Sequence, residues 1–319
     1  MRISLVASSN GLGHARRLLN LVPGFKEKVN SLSLFLSAEQ AKLLKKEIQS
    51  ILKEIDFKLI ESKNFGLDGF HFKNLTLFED VTPDCIKQIA GSDIVISDNS
   101  AWPANYNENF YLFGHFDWVS YYKRSNLKQF ENSVISDQLA NEFELLMNSK
   151  AWFRTKEFGL NSIFNFKVID IPFLRYDSDN FESKSRSNEI WFANGTTGEK
   201  MSTNFGQTLN PVDIVHSETF RMNTSPNLPK MVFGRPGLGT IRDCLASRTY
   251  FQPLWGGRDV ELESNAEHLN RLGLSKNLTK NSNLGVIDYE EISFRIKRFW
   301  EDNSAAPTAT VDLILDNIG

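Results

Sequence analysis

Residues 233–246 read FGRPGLGTIRDCLA: a short apolar run enters a glycine turn and continues as a helical pattern. Gly237 and Gly239 would let the backbone approach a ligand closely, and the helix that follows would present free N–H groups to a phosphate. The Thr240 hydroxyl can donate to the same oxygens. Asp243 lies one turn further along the same face, where it could hold ribose hydroxyls. An isolated glycine turn of this kind is more often only a tight connection, so its context matters.

Short β-rich runs alternate with helical patterns along the chain, which is typical of a parallel sheet wound with helices. The predicted strands cover residues 3–7, 31–36, 57–61, 93–97, 110–113, 168–172, 189–193, 212–216, 231–233 and 248–253. The predicted helices cover residues 14–21, 38–55, 134–147, 288–301 and 307–318. The polar, serine-rich stretch 177–188 is the best linker candidate. The pattern therefore predicts an α/β protein with two Rossmann-like domains facing a cleft, over residues 1–176 and 187–302.

Composition limits the classes of partner. The chain has 319 residues, of which 41% are hydrophobic and 24% charged, so disordered, collagen-like and coiled-coil classes are excluded. The net charge of −3 gives no strong footprint for nucleic acid. We find no transmembrane run or signal peptide and expect a cytoplasmic protein. Peripheral membrane contact through Lys42, Lys45, Lys46 and Lys53 stays open, although a solvated helix face is favoured.

A second glycine-containing loop follows the first predicted strand and reads SSNGLGHARR over residues 8–17. A histidine at that position points above the carboxyl edge of the sheet, where ligands of such folds bind. The neutral imidazole of His14 can remove a proton from a hydroxyl near pH 7. Gly11 and Gly13 could cradle an acceptor or a donor phosphate, with Arg17 as the charge partner.

Two further residues follow predicted strands at the same sheet edge. Asp98 could bond Nδ1 of His14, fix its tautomer and stabilise the imidazolium formed on proton transfer. Capping of the turn 98–100 is an equally good interpretation of this aspartate. His115 follows the strand at 110–113 and could line an acceptor pocket, although a structural role is favoured. Cys85 and Cys244 are far apart and indicate neither a disulfide framework nor a zinc ribbon.

Together, these motifs carry a family resemblance. The stretch 235–246, then Pro253-Leu254-Trp255, then Glu261 and Asn265-Ala266-Glu267-His268-Leu269, resembles the donor-site signature of GT-B glycosyltransferases. Within that superfamily it is most similar to the branch of the peptidoglycan GlcNAc-transferase and the small-molecule UDP-glycosyltransferases. The G-x-G-H-x-x-R pattern at 11–17 resembles the first loop of the same superfamily, including nucleotide-sugar hydrolases of the pseudaminic-acid pathway.

The resemblance implies a role for each matching position. The donor diphosphate would lie on Gly237, Gly239 and Thr240, its ribose on Asp243 and its hexose on Glu261, while Gly195 and Thr196 would present backbone amides to the donor. His14 would be the catalytic base with Asp98 as its companion. The acceptor would contact Gly11, Gly13, Arg17 and His115. Two departures from the family pattern are Asp243 in place of the usual Glu and Leu262 where Gln is common.

The resemblance also implies a GT-B fold whose C-terminal helix, within residues 303–319, packs back on the N-terminal domain. The expected reaction is transfer of a hexosyl or acetamidohexosyl group from a nucleotide sugar, most simply UDP-linked, with inversion and without metal or other cofactor. The acceptor stays open among a lipid-linked sugar, a glycan, a small molecule, a protein and a modified nucleobase. The alternatives are a nucleotide-sugar hydrolase, a non-hydrolysing epimerase and a non-catalytic nucleotide-sugar-binding protein.

Overall fold

The chain folds into two compact units. Unit 1 comprises Met1–Leu174 and Ala305–Gly319, and unit 2 comprises Arg175–Ser304. The sequence prediction divides the chain into residues 1–176, 187–302 and 303–319. The computed structural model describes residues 1–9, 12–62, 81–125, 133–158, 160, 162–175, 181, 184–193, 214–217, 225, 227–254, 260–276 and 288–318.

Unit 1 contains one seven-stranded sheet in which every pair of neighbours is parallel. The strands are β1 (Arg2–Ala7), β2 (Ser31–Ser37), β3 (Lys58–Ser62), β4 (Ile94–Asp98), β5 (Phe110–Gly114), β6 (Trp152–Thr155) and β7 (Val168–Ile171), and a short β8 (Phe173–Leu174) follows them. Their order in the sheet is β3-β2-β1-β4-β5-β6-β7. All five residues of β4 and of β5 are buried, as expected for a parallel sheet covered on both faces.

The helices of unit 1 are α1 (Leu12–Leu21), α2 (Ala38–Leu43), α3 (Lys45–Leu52), α4 (Pro83–Ala90), α5 (Trp118–Ser125), α6 (Ser133–Met147) and α10 (Pro307–Asp316). Short 3₁₀ turns lie at Val22–Phe25 and Trp102–Asn105. The single helix predicted over 38–55 is two helices, because the backbone turns at Leu44, where φ is −96° and ψ is 10°. The Leu44 side chain is fully buried at this bend.

Unit 2 contains a four-stranded parallel sheet. Its strands are β10 (Ile190–Ala193), β11 (Ile214–Ser217), β13 (Met231–Gly234) and β14 (Tyr250–Pro253), in the order β11-β10-β13-β14. The shorter strands of unit 2 are β9 (Ser185–Arg186) and β12 (Asn227–Leu228), and its helices are α7 (Leu238–Ala246), α8 (Val260–Arg271) and α9 (Tyr289–Asn303). The short strand β15 (Ser304–Ala305) lies where the chain passes from unit 2 to unit 1. The rings of Phe192 and Phe233 stack in its core, with centroids 5.4 Å apart.

The strand order reverses once in each sheet, and these reversals locate the ligand crevices. In unit 1 the chain runs outward from β1 to β3 on one side and from β4 to β7 on the other, with Ala7 paired to Asp98 at the carboxyl ends. In unit 2 the reversal lies between β10 and β13, where Ala193 pairs with Gly234. The two glycine loops of the sequence analysis follow β1 and β13, so each begins at one of these points.

The C-terminal helix α10 packs against α1 and the turn Val22–Phe25, which confirms its expected return to the N-terminal domain. Its Val311 and Ile314 side chains are fully buried. Lys28 forms an ion pair with Asp312 and donates to the Thr308 carbonyl at 3.3 Å. Within the described ranges, no helix combines the length and the apolar character needed to cross a membrane.

Candidate active site

The structure brings His14 and Asp98 together at the reversal point of unit 1. His14 lies in the first turn of α1, and Asp98 is the last residue of β4. The imidazole Nδ1 is 2.9 Å from Oδ1 of Asp98. The His14 side chain is 8% exposed and the Asp98 side chain 0%. The contact predicted from the sequence is therefore present, and the turn-capping alternative is not needed to explain this aspartate.

Arg17 joins the same pair. Its Nε donates to Oδ2 of Asp98 at 2.9 Å, and its Nη2 donates to Oδ1 at 2.8 Å. The same Nη2 is 3.0 Å from Nδ1 of His14. The sequence predicts Arg17 as an acceptor ligand. In the structure its guanidinium bonds the carboxylate of Asp98, because Arg17 lies one helical turn after His14 and shares its face of α1. Acceptor binding by Arg17 stays a prediction.

The charge state of Asp98 follows from these contacts. Burial alone would raise the pKa of Asp98, but the charges of Arg17 and His14, with the hydrogen bonds from both, outweigh it and lower the pKa to about 2. The carboxylate is thus ionised at neutral pH and accepts the proton of Nδ1. That tautomer leaves Nε2 of His14 as the nitrogen with a lone pair.

Gly114, the last residue of β5, supports this geometry. Its φ of +121° belongs to the region that favours glycine. A Cβ at this position would collide with the side-chain amide of Asn99 and stand 2.9 Å from Oδ1 of Asp98. Asn99 itself adopts a φ of +58°, a conformation that Asn tolerates better than most residues. The backbone around Asp98 therefore requires positive φ values at Gly114 and Asn99, and both residue types tolerate them.

The other predicted acceptor residues have different positions. Gly13 is exposed at the start of α1, and no described atom lies within 4 Å of where its Cβ would be. His115 is only 2% exposed, and its ring packs edge-on against Phe116 with centroids 5.0 Å apart. This burial favours the structural role for His115, and its acceptor role stays a prediction. Gly11 lies outside the described residues.

The predicted donor loop lies at the reversal point of unit 2. Gly237 is the N-cap residue of α7, and its carbonyl accepts the first helical bond from Ile241 at 3.0 Å. No described side chain caps this helix. Helix geometry leaves the first-turn N–H groups, including those of Gly239 and Thr240, without intrahelical partners. No described atom lies within 4 Å of a Cβ built on Gly237 or Gly239, so the described residues leave the turn accessible.

Asn265 fixes the donor loop from the neighbouring helix. Its Nδ2 donates to the carbonyl of Pro236 at 3.0 Å, and the residue is 0% exposed. The Asn265 Oδ1 atom has no hydrogen-bond partner among the described residues. Sequence reasoning placed Asn265 in the motif without assigning it a task. The structure gives it one: it ties α8 to the residue that precedes Gly237.

The predicted ribose ligand, Asp243, forms an ion pair with its neighbour. Its Oδ1 is 2.8 Å from Nη1 of Arg242, and its side chain is 32% exposed. Arg242 is buried, and its guanidinium lies 5.5 Å from the centre of the Trp300 ring on α9. Asp243 follows Gly239 by four residues and therefore lies on the same face of α7. Its carboxylate pairs with Arg242, whose guanidinium packs on the Trp300 ring.

Glu261 and Leu262 lie in the first turn of α8 and differ in exposure. Leu262 is 3% exposed and belongs to the interior, which explains an apolar residue where the family pattern commonly has Gln. Glu261 is half-buried. It precedes Asn265 by four residues and so shares the helix face that contacts the donor loop. Gly195 and Thr196 come two and three residues after the end of β10 and lie outside the described residues.

Sequence reasoning missed a buried carboxyl group close to the Asp98 loop. Oε1 of Glu142, on α6, accepts from the Ala101 N–H at 3.0 Å. Burial raises the pKa of Glu142 to about 8; the Ala101 N–H opposes this shift, and the charge of Asp117 adds to it. Glu142 occurs in an otherwise ordinary helical pattern, so no sequence signal marked it. No group of three or more His, Cys, Asp or Glu in the described ranges could hold a metal ion.

Comparison with solved structures identifies the fold. The spinosyn forosaminyltransferase SpnP matches 100% of this chain and 99% of its own at 11% identity, with a TM-score of 0.64. The calicheamicin glycosyltransferase CalG4 matches 100% of this chain and 98% of its own at 14% identity, with a TM-score of 0.63. The chain has the GT-B fold. This confirms the fold that the family resemblance implies.

A third structure with the GT-B fold was solved with ligands. Phytolacca americana UGT2, complexed with UDP-2-fluoroglucose and pterostilbene, matches 99% of this chain and 98% of its own at 10% identity, with a TM-score of 0.64. No protein-family model and no curated protein sequence matches the chain. At these identities the comparison establishes the fold, and the chemistry has to be argued from the residues themselves.

Proposed function

We propose that this protein is a glycosyltransferase that moves a hexosyl or acetamidohexosyl group from a nucleoside diphosphate sugar, most simply UDP-linked, to an acceptor hydroxyl. The reaction is metal-independent and inverts the anomeric centre. Unit 2 binds the donor, and His14 of unit 1 is the general base. The acceptor is a lipid-linked sugar, a glycan, a small molecule, a protein or a modified nucleobase.

The glycine turn before α7 is the observation that carries this proposal. Its first-turn N–H groups lack intrahelical partners, and no described atom lies within 4 Å of a Cβ built on Gly237 or Gly239. A helix N-terminus of this kind favours a bound anion and stabilises charge on a departing diphosphate. Asn265 holds the turn in place through Pro236. Asp243 and Glu261 extend from α7 and α8 beside this turn, as the ribose and hexose ligands of the proposed donor.

The chemical step uses the pair in unit 1. The Nδ1–H group of His14 stays hydrogen-bonded to Asp98, and Nε2 of His14 takes the proton of the acceptor hydroxyl. The acceptor oxygen then forms a bond to the anomeric carbon while the bond from that carbon to the diphosphate oxygen breaks. A single displacement of this kind inverts the centre. The electron pair of the broken bond goes to the diphosphate, whose charge the α7 N-terminus offsets.

Thermal unfolding with UDP, dTDP and their sugars tests the donor assignment. A ligand at about 100-fold excess over its Kd stabilises the folded state by about 2.7 kcal/mol. We expect Thr240→Val to weaken this shift, because the valine cannot donate to phosphate. Thr308→Val is the matched control: the same substitution in the first turn of α10, in unit 1. Equal shifts in both variants would remove Thr240 from the donor site.

Turnover assays with UDP-sugars separate transfer from hydrolysis. We expect sugar release to depend on an added acceptor. Rapid release in water alone would favour the nucleotide-sugar hydrolase, and binding without turnover would favour the non-catalytic protein.

The sequence contains one Asp-x-Asp pattern, Asp177-Ser178-Asp179, which lies outside the described residues. The assay is therefore repeated with EDTA and with added Mg²⁺. Loss of turnover in EDTA, restored by Mg²⁺, would contradict the metal-independent mechanism.

A further inference from the structure

Arg17 makes more polar contacts with the proposed catalytic pair than acceptor binding would require. Its Nε and Nη2 reach the two different oxygens of Asp98, at 2.9 and 2.8 Å. This is a two-point contact between a planar guanidinium and a planar carboxylate, the arrangement in which arginine restricts orientation most strongly. The carboxylate of Asp98 therefore cannot rotate without breaking one of the two bonds.

The orientation of Asp98 is passed on to His14. Oδ1 is the oxygen that accepts from both Arg17 and Nδ1 of His14. A carboxylate that is held in one plane holds the imidazole that bonds it, and so directs Nε2. His14 and Arg17 are also three residues apart on α1, which places their side chains as neighbours on one face of the helix.

We propose that Arg17 is a positioning residue of this site, which acts on His14 through Asp98 and does not bind the acceptor. The kinetic part of this proposal rests on the proposed function, whereas the structural part does not. The Arg17 side chain is 16% exposed and Asp98 is 0% exposed, so the ion pair lies in the interior of unit 1. Removing one partner of a buried pair leaves the other charge uncompensated, which is costly.

The surrounding charges support a specific role for Arg17. The buried titratable groups of the neighbouring segments include His115 and Asp117 after β5 and Glu142 on α6. Among the described residues, however, only Arg17 and His14 oppose the effect of burial on the pKa of Asp98, and Arg17 contributes the larger charge effect. Without Arg17, its charge and hydrogen bonds no longer oppose the effect of burial, so the pKa of Asp98 would rise.

Kinetics of Arg17→Met and Arg17→Lys test the proposal. We expect Arg17→Met to lower kcat about 100-fold with little change in KM for donor or acceptor, because a misdirected base affects the chemical step. Arg17→Lys keeps the charge but not the two-point contact and should recover only part of the rate. Arg16→Met is the matched control, since Arg16 is the adjacent residue and faces Glu47 on α3 at 3.5 Å.

A double-mutant cycle with Asp98→Asn separates action through Asp98 from independent action. We expect Arg17→Met to have little further effect on kcat once Asp98 is replaced. An equal loss of kcat in both backgrounds would overturn the proposal. So would an increase in KM for the acceptor at unchanged kcat, which would return Arg17 to the acceptor site.

A measurement without substrate keeps the proposal testable if no turnover is found. Asp98 has a folded-state pKa of about 2, below its ordinary 3.8, so its contribution to stability is lost as pH falls from 3.8 toward 2. In Arg17→Met the pKa of Asp98 is raised, and this loss should be reduced, as in Asp98→Asn. Arg16→Met should keep the native pH dependence. A uniform destabilisation of Arg17→Met at every pH would indicate only a packing role and would overturn the proposal.

Discussion

At the scale of single residues, the two ends of β4 provide a matched comparison of aspartates. Asp98 ends the strand and is buried against His14 and Arg17, whereas Asp93 precedes it and forms an exposed pair with Arg2 at 3.0 Å. We expect Asp98→Asn to lower kcat by about 100- to 10,000-fold, because the amide no longer stabilises the imidazolium. Asp93→Asn should leave kcat unchanged. Steady-state kinetics of both variants check this, and similar losses would argue against the His14–Asp98 pair.

Glu142 predicts an unusual dependence of stability on pH. Its ordinary pKa of 4.5 is raised to about 8 in the folded protein. Between these values the unfolded chain releases the proton and the folded protein keeps it, so the free energy of unfolding falls as pH rises from about 4.5 to about 8. Glu142→Gln cannot titrate, while its amide oxygen can still accept from Ala101. We therefore expect this variant to lack that decrease.

The control for Glu142 is Glu144→Gln, an exposed residue of the same helix. Urea unfolding at several pH values compares the two variants with the native protein. Glu144→Gln should retain the native slope between pH 4.5 and 8. If Glu142→Gln keeps this slope as well, Glu142 is ionised in the folded protein over this pH range and the prediction is wrong.

The sequence anticipated some residue contacts and not others, for a physical reason. His14 and Asp98 could be paired in advance because one follows β1 and the other ends β4, and the carboxyl ends of these parallel strands meet at one edge of the sheet. The attachment of Arg17 to Asp98 depends on the rotation of α1 over that sheet, which no local pattern encodes. The burial of Leu262 and the bond from Asn265 to Pro236 likewise depend on how α8 packs on the donor loop.

At the scale of elements, α10 is expected to stabilise unit 1. Ile314 is fully buried where α10 packs against α1 and the turn Val22–Phe25. Ile314→Ala should lower the free energy of unfolding by about 2–5 kcal/mol, since it removes buried methyl groups and leaves a cavity. Ile318→Ala, at a partly exposed position beyond the same helix, should cost about 1 kcal/mol or less. Chemical denaturation measures both; equal costs would show that α10 is not anchored through Ile314.

Elements with strong periodicity were the ones that the sequence predicted well. Apolar runs such as 93–97 and 110–113 correspond to β4 and β5 within a residue at each end. The break at Leu44 was missed because apolar spacing continues through it. The short helix α4 and the strand β6 were also missed. Thr82 caps α4 through its bond from the Cys85 N–H, and β6 has only four residues, so each signal is confined to a few positions.

At the scale of the whole molecule, two sheets with one reversal each account for the placement of both glycine loops. The strand order could not be read from the sequence, because it depends on which strands pair. Once strands alternate with helices, however, right-handed connections and short loops restrict the orders available. The loops after β1 and β13 are then the natural ligand sites. The GT-B fold itself was expected from the family resemblance of the motifs, although no family model matches the chain.

Hydrogen exchange with and without UDP tests how ligand binding is divided between the two units. The first-turn N–H groups of α7 have no intrahelical partners, so they should exchange quickly in the free protein. A bound diphosphate would accept from these groups and slow their exchange, with protection extending to Asp243 and to the first turn of α8. The first turn of α1 should respond less, because the proposed donor belongs to unit 2. Protection strongest around His14, with α7 unchanged, would reverse the assignment of donor and acceptor.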